Sequence, residues 1–367
     1  MKYHRATSVL LLVGLALTPT MSVFAKPPRE ALSVEMERLA DDIHQVLEKR
    51  DLKIVAIGSF SSAASVSGSS GPELQLKLQQ ALEVRKLVIR TSDYQAEVQG
   101  HYVPAVDSES KVQGVKITAR LVDGDGTTLS EFPARFIFGQ EVVPRLLGLT
   151  VQTPPTANDH ARSDAFKKAL DNQKTNTPSH AATGTKVSAG AGSPYGIELL
   201  AKRSGQYRAQ SISTGERGLP FVELKRDDIY AIRLINQADH DAAVKVTIDG
   251  LNVFAFSDTA ADATYWLVPK KSSLTVQGWH KNNKKSVEFK VVDFPGTAAA
   301  KLNFKPSETV GTISASFAAA WTGDADKPAD EPSNRGTGFG DEIMVETRRV
   351  ERILGNTRAV ISLRYER

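Results

Sequence analysis

An alternation of apolar and polar residues between Ala242 and Trp279 constrains the fold of this chain most strongly. Three β-branched residues at every second position mark a strand with one buried face: Val244, Val246 and Ile248. Asp249-Gly250 follows as a hairpin-type turn pair, because glycine accepts a positive φ and aspartate bonds its own backbone. Two further apolar strands, Tyr265–Val268 and Leu274–Gln277, complete the stretch. The pattern predicts the core of a β-sandwich or barrel.

The β-rich pattern extends over residues 195–321, where many short strands separated by turn residues predict a jelly-roll-like sandwich. A polar break at residues 322–340 predicts a flexible segment. Residues 341–367 then predict a C-terminal hairpin or strand extension, with two strands joined at Gly355-Asn356. The first of these, Asp341–Leu354, is open between strand and helix. In the second strand, Ala359, Ile361, Leu363 and Tyr365 occupy every second position, which predicts that they share one buried face.

The region 31–148 has a different pattern. Apolar residues recur at three- and four-residue spacing and predict an amphipathic helix: Leu32, Met36, Leu39, Ile43 and Val46. The strand Lys53–Ile57 follows, and Pro72 opens a second helix, since proline suits a first turn. Further strands and a hairpin at Val115–Phe138 complete the order. The pattern predicts an α/β sandwich module.

Between these regions, residues 151–194 are dominated by Pro, Thr, Ser, Ala, Gly and Asn and contain few apolar residues. Such a composition predicts a disordered linker, because it supplies too little core to fold alone. The predicted fold class is therefore α+β: an α/β module and an all-β sandwich joined by a disordered linker.

The first 25 residues predict a secretory signal peptide. A basic start is followed by the apolar run Val9–Leu17 and by a small-residue cleavage site at Val23-Phe24-Ala25. No later stretch is apolar enough to cross a membrane, which predicts an exported protein without a transmembrane segment in the mature chain. The chain has no cysteine, which excludes disulfides, thiolate metal sites and a lipoprotein anchor. We therefore expect a periplasmic or outer-membrane-associated protein.

Four segments carry a resemblance to a known family: LADDIHQVL (39–47), KIVAIGSF (53–60), AEVQGHY (96–102) and VKITARLVDGDGTTL (115–129). With them the N-terminal region resembles the modules of bacterial envelope proteins of the FlgO type, relatives of the curli-secretion protein CsgG. The resemblance implies an envelope accessory module. Those relatives are typically lipoproteins, and this chain lacks the required cysteine. For this chain the resemblance therefore implies an envelope scaffold module without the lipid anchor.

The second region also resembles an uncharacterised exported bacterial β-rich domain, with the wording VDGLNV … GW. The matching segments are Ile248–Val253, Tyr265–Pro269, Val276–Trp279 and Val287–Phe289. This resemblance implies no function.

The motifs of common enzymes and metal sites are not matched. The run starting at Asp123 begins like a calcium loop, but its sixth and twelfth positions are Thr128 and Ala134 instead of Gly and Glu. The loop Gly58–Gly71 lies where a phosphate loop would, yet it has no G-x-x-x-x-G-K-[ST]. There is no paired-histidine metal motif and no G-x-S-x-G elbow. We predict no catalytic residue, metal or cofactor.

One constellation combines polar and aromatic side chains in the central stretch: Asp249, Asn252, Trp266 and Trp279. An exposed tryptophan on a sandwich can stack on a sugar or peptide, with Asp and Asn supplying directional hydrogen bonds. In the alternative interpretation, which the pattern favours, Asp249 and Asn252 satisfy turn backbone while both indole rings fill the core.

These observations predict a non-enzymatic exported envelope protein that acts as a binding or assembly scaffold in the periplasm or at the outer membrane. Envelope proteins are the expected partners, because sheet edges and a tether suit assembly. The alternative function is glycan or peptidoglycan binding by the β-sandwich. A net charge of +4, spread along the chain, does not indicate a nucleic-acid partner.

Overall fold

A computed structural model describes residues 31–63, 68–258, 265–304, 310–331 and 352–365 of the chain. The predicted signal peptide and residues 341–351 lie outside this set. The described residues form a mixed helical and stranded structure with several sheets, which confirms the α+β class. No helix within these ranges combines the length and the apolar character needed to cross a membrane.

The chain begins with helices and strands in the predicted order. Their bounds are α1 Ala31–Lys49, β1 Ile54–Ser62, α2 Gly71–Val84, β2 Val88–Ile89, β3 Ala96–Val106, β4 Gln113–Val122, β5 Thr128–Glu131, β6 Arg135–Ile137 and α3 Val142–Leu147. The sheet order is β2-β1-β3-β4-β5, with β6 paired to β4. Strand β1 runs parallel to β2 and β3, and the other pairs are antiparallel. The spaced apolar residues of α1 pack into the first core, as the periodicity predicts.

The disordered linker predicted for residues 151–194 is wrong. This segment forms β7 Val151–Gln152, α4 Asp159–Lys174, β8 Ala181–Thr183 and β9 Lys186–Ser188. The Asn158 side chain caps α4 by accepting a hydrogen bond from the backbone of Ala161 at 2.9 Å. The few apolar residues of α4 lie on one face, and Phe166 and Leu170 are buried in the first core. Composition does not predict this helix, because three or four well-spaced apolar residues are enough for a helix that packs on a core built by other parts of the chain.

The rest of the chain is rich in strands. Their bounds are β10 Tyr195–Arg203, β11 Gln206–Ala209, β12 Ser213–Thr214, β13 Pro220–Phe221, β14 Ile229–Asn236, β15 Asp241–Ile248, β16 Leu251–Asn252, β17 Trp266–Val268, β18 Ser272–Val276, β19 Gly278–Asn282, β20 Lys285–Lys290, β21 Thr312–Trp321 and β22 Ile353–Arg364, with a short helix α5 Ala298–Lys301. One sheet has the order β19-β20-β14-β10-β9-β8, with β11 and β18 at its sides. The other has the order β12-β13-β22-β21-β15-β16, with β17 and β7 at its sides. Both sheets contribute to one hydrophobic core, the second core.

Below, α1–α4 and β1–β6 are called the N-terminal unit, and β7–β22 with α5 the β unit. Strand β22 connects the two cores. Ala359, Ile361 and Leu363 face the second core, as their alternation predicts, while Val360 belongs to the first core. Every residue of β21 beside it is buried. The two units are therefore packed against each other through this sheet, because a strand buried at every position must be covered on both faces.

Two further predictions for the C-terminal part need correction. Gly355 and Asn356 lie inside the single strand β22 and do not form a turn, so the predicted hairpin turn at these residues is wrong. In the described part of the predicted flexible segment, residues 322–331, Glu331 is buried and bonds Arg358 at 2.8 Å. A buried arginine needs a carboxylate partner, and the ion pair between Glu331 and Arg358 keeps this segment on the sheet.

Candidate functional site

A recess of about 1110 Å³ lies between the two sheets of the β unit, at the end where the Asp249-Gly250 turn is found. Strands β13–β16, β19 and β20 and the helix α5 supply its walls, and Pro72 of α2 closes one corner. The walls are mainly apolar: Phe221, Leu224, Ile229, Leu251, Val291 and Ala299. A molecule in this recess would touch the β unit and the first turn of α2.

The Asp249-Gly250 turn is built as the sequence predicts. Asp249 has φ 50° and Gly250 has φ 78°, and Ile248 pairs with Leu251 across the turn. A Cβ atom on Gly250 would lie 2.8 Å from the Cα of Ser70. The N-terminal unit therefore packs so closely on the turn that a side chain at position 250 would collide with it.

The Asp249 carboxylate forms the polar end of the recess and joins the two units. Its Oδ1 accepts hydrogen bonds from Ser69 Oγ at 2.7 Å, from Gly311 N at 2.7 Å and from Thr312 N at 3.0 Å. The Tyr365 hydroxyl donates to Oδ2 at the longer distance of 3.3 Å. Asp249 thus satisfies backbone groups, as the favoured interpretation predicts, and also lines the recess.

Burial controls the electrostatics of this polar end. Burial raises the pKa of Asp249 above its ordinary value, and the hydrogen bonds from Ser69 and the backbone oppose the rise only in part. Burial likewise raises the pKa of Tyr230, which lines the recess and hydrogen-bonds Tyr365. Tyr230 is therefore neutral near pH 7, and the Asp249 carboxyl group carries the titratable charge of this end.

Trp279 lies in the wall of the recess with its ring held between aromatic neighbours. Its centroid is 5.3 Å from that of Phe256 and 5.5 Å from that of Phe289, both in edge-on arrangements. The indole is partly buried and packs against the second core. It can contact a ligand through the surface that it presents to the recess.

Asn252 and Trp266 do not line the recess. Asn252 Oδ1 accepts a hydrogen bond from the backbone of Phe254 at 2.9 Å, which is the local turn role. The Trp266 ring stacks near Phe254, with centroids 4.8 Å apart, and meets His280 at 6.1 Å. The structure thus brings Asp249 and Trp279 to one cavity and places Asn252 and Trp266 beside it.

Most charged side chains that line the recess form ion pairs, either with each other or with a residue just outside it. The ion pairs are Arg226–Asp293 at 2.6 Å, Lys202–Glu288 at 2.6 Å and Lys290–Asp227 at 2.8 Å. The hydrogen bond from Lys202 lowers the pKa of Glu288. Lys301 and Glu223, also at the rim, have no ion-pair partner among the described residues. The rim is therefore polar and nearly balanced in sign, above an apolar interior.

A buried network of charges holds the two units together next to the recess. Arg145 of α3 is 2% exposed and pairs with Glu73 of α2 and, at 3.3 Å, with Glu141. Glu141 in turn pairs at 2.9 Å with Lys245 of β15. Because these charges lie away from water, each depends on its partners to remain buried.

Several residues of the site were not predicted. Tyr365 continues the alternation of the last strand, so its inward direction could have been inferred, but not its bond to Asp249. Tyr230 lies in a predicted strand and offers no further signal. Ser69 belongs to a Ser/Gly loop that is 180 residues away from its partner Asp249 in sequence, and no local sequence pattern predicts such a contact.

No protein-family model, no curated protein and no solved structure matches this chain. The resemblance to FlgO-type and CsgG-type modules therefore stays a prediction. Within the described ranges, no three His, Asp or Glu side chains are grouped as ligands of a metal ion would be.

Proposed function

We propose that this chain is a non-enzymatic binding protein of the bacterial cell envelope that holds an apolar or amphipathic ligand in the recess. In this proposal a FlgO-like α/β module and a jelly-roll-like sandwich form one scaffold, exported to the periplasm or the outer membrane by the N-terminal signal. Fractionation of expressing cells tests the export: the processed chain is expected in the envelope, and retention in the cytoplasm would contradict it.

The observation that carries the proposal is the recess itself. Its volume of about 1110 Å³ is slightly above the range of ~300–1,000 Å³ typical of ligand pockets. Such pockets are lined mainly by apolar and aromatic side chains with few polar groups, and this one has Asp249 and Tyr365 at one end. The rim charges neutralise each other, which suits the entry of a molecule with a large apolar surface.

Two other kinds of ligand follow from the sequence. An envelope protein could insert an apolar side chain into the same recess, which would make the chain an assembly scaffold. A glycan or peptidoglycan fragment needs an exposed aromatic face. Trp279 is in edge-on contact with Phe256 and Phe289, and these contacts reduce the part of the indole that a sugar ring could stack on. The geometry therefore favours an apolar ligand over a glycan.

Filling part of the recess is expected to weaken the binding of an apolar molecule. The mature chain should bind the neutral dye Nile red at one site, with increased dye fluorescence. The substitution Ala298→Trp places an indole among the lining residues and is expected to weaken binding at least about tenfold. Fluorescence titration measures both affinities.

The matched control is Ala300→Trp, the same change on the same short helix at a position that does not line the recess. It should bind the dye like the natural chain, and thermal unfolding of both variants verifies folding. Equal binding by Ala298→Trp and the natural chain would refute the proposal. Displacement of the dye by peptidoglycan fragments instead of by alkanes would favour the glycan alternative.

A further inference from the structure

Asp249 is a half-buried acid without a positive partner. Among the described residues, no lysine, arginine or histidine lies within 4.0 Å of its carboxylate, the distance at which ion pairs are counted. Its described partners are a serine, a tyrosine and two backbone amides. Buried carboxylates are usually paired with a cation, because hydrogen bonds alone compensate only part of the lost hydration.

The two oxygens of this carboxylate are used unequally. Oδ1 accepts all three of the short hydrogen bonds, from Ser69, Gly311 and Thr312. Oδ2 has one described contact, the 3.3 Å bond from Tyr365. A carboxylate oxygen has room for two donors, so Oδ2 can accept another one. Asp249 lines the recess, which is the space from which a ligand could approach.

We propose that the ligand is an amphipathic amine, with its ammonium group on Oδ2 of Asp249 and its apolar body along the aromatic and aliphatic walls. This inference rests on the proposed function, because it takes the recess to be the binding site. The ammonium supplies the missing positive partner and a charge-assisted hydrogen bond. The walls at Phe221, Leu251 and Trp279 supply the apolar surface for the body.

Among the titratable groups around Asp249, only its own carboxyl group is expected to change charge between pH 4 and 8. From the β unit, Tyr230 and Tyr365 face it, and from the N-terminal unit Tyr102 and Glu73 lie within electrostatic reach. Burial raises the pKa of Tyr102 to about 12, and Glu73 is paired with Arg145. Between pH 4 and 8 the amine stays protonated, since amines titrate near ~10. Amine binding is therefore fully present above the raised pKa of Asp249 and is lost as the pH falls through it.

The test uses decylamine, decanol and decanoate, which share one apolar chain, as competitors of Nile red on the mature chain below their micelle concentrations. At pH 7.5 decylamine is expected to bind at least about tenfold more tightly than decanol, and decanoate more weakly than both. The amine advantage should shrink as the pH falls toward 4, while decanol binding stays constant.

The variant Asp249→Asn keeps an oxygen for Ser69 and the two amides, and asparagine tolerates the positive φ of this turn. It is expected to lose the amine advantage and to retain the binding of Nile red and decanol. The control Asp51→Asn, the same change at an exposed residue with positive φ that does not line the recess, should leave every affinity unchanged.

Equal binding of decylamine and decanol at all pH values, or an amine advantage that survives in Asp249→Asn, would overturn the inference while leaving the recess as a binding site. Tightest binding by decanoate would overturn it as well and would point to Lys301 at the rim. Failure of all three molecules and of the dye would instead refute the proposed function.

Discussion

Replacing Arg145 with alanine is expected to lower the free energy of unfolding by about 3–5 kcal/mol, because it leaves buried carboxylates without their partner. The guanidinium is 2% exposed and bonds both Glu73 and Glu141, and Glu141 is shared with Lys245 of the β unit. Removing the arginine breaks the link between α2, α3 and β15 in one step. The loss should therefore affect both units together.

Urea unfolding followed by circular dichroism and by tryptophan fluorescence measures this effect. The control is Arg208→Ala, an exposed arginine without a described ion pair, which should change the stability by no more than about 0.5 kcal/mol. If Arg145→Ala were as stable as the control, the buried network could not be what joins the units.

Replacing Phe166 with alanine is expected to cost about 3–5 kcal/mol of stability, the usual loss for a large buried aromatic side chain. Phe166 of α4 is 1% exposed and belongs to the first core, and its ring lies 6.2 Å from that of Phe138. A side chain in a disordered linker could be removed without any such cost. The substitution therefore distinguishes a folded helix α4 from the disordered linker that the composition predicts.

Lys168→Ala is the control on the same helix, since Lys168 is exposed and its removal should be nearly neutral. Thermal or urea unfolding compares the two variants. A neutral Phe166→Ala, together with rapid proteolysis within residues 159–174 of the folded chain, would restore the linker and contradict the packing of α4.

The sequence predicts best those features that depend on local periodicity. The amphipathic face of α1, the alternation of Ala359, Ile361 and Leu363, and the Asp249-Gly250 turn are all found as predicted. In each case the residues that specify the structure lie within a single helix, strand or turn. The burial of one face or the positive φ of glycine is then enough to determine the local conformation.

The features that were missed depend on contacts between distant parts of the chain. Helix α4 is stable because Phe166 meets a core built by residues 32–151, and Glu331 is fixed by Arg358 across the sheet. The prediction of a tether between two separate domains failed for the same reason. Strand β22 is buried between both cores, and its Val360 contributes to the first while its neighbours contribute to the second.

In the candidate site, too, local patterns are predicted from the sequence and contacts between distant residues are not. Asp249 and Trp279 were singled out because an acid and an indole stand out in a strand-rich stretch. Their common location in the recess, and the bond from Ser69 to Asp249, follow from the packing of the N-terminal unit on the turn. Asn252 and Trp266, equally prominent in sequence, lie outside the recess, where Asn252 bonds the backbone of Phe254 and Trp266 packs near the Phe254 ring.

Contact quenching of Trp279 tests most directly whether the recess holds a ligand. The chain has three tryptophans, and the variant Trp266→Phe with Trp321→Phe leaves Trp279 alone. These changes remove indole nitrogens that have no hydrogen-bond partner in the described part of the chain, so no described hydrogen bond is lost, and thermal unfolding verifies that the variant is folded.

Bromoundecanol, an apolar molecule whose bromine quenches an indole only on contact, is then titrated into this variant. If the recess is the site, the Trp279 emission should fall to a plateau with the same midpoint at which Nile red is displaced, and adding Ala298→Trp should weaken the displacement of the dye. Displacement of the dye with unchanged Trp279 emission would place the ligand elsewhere and contradict binding in the recess.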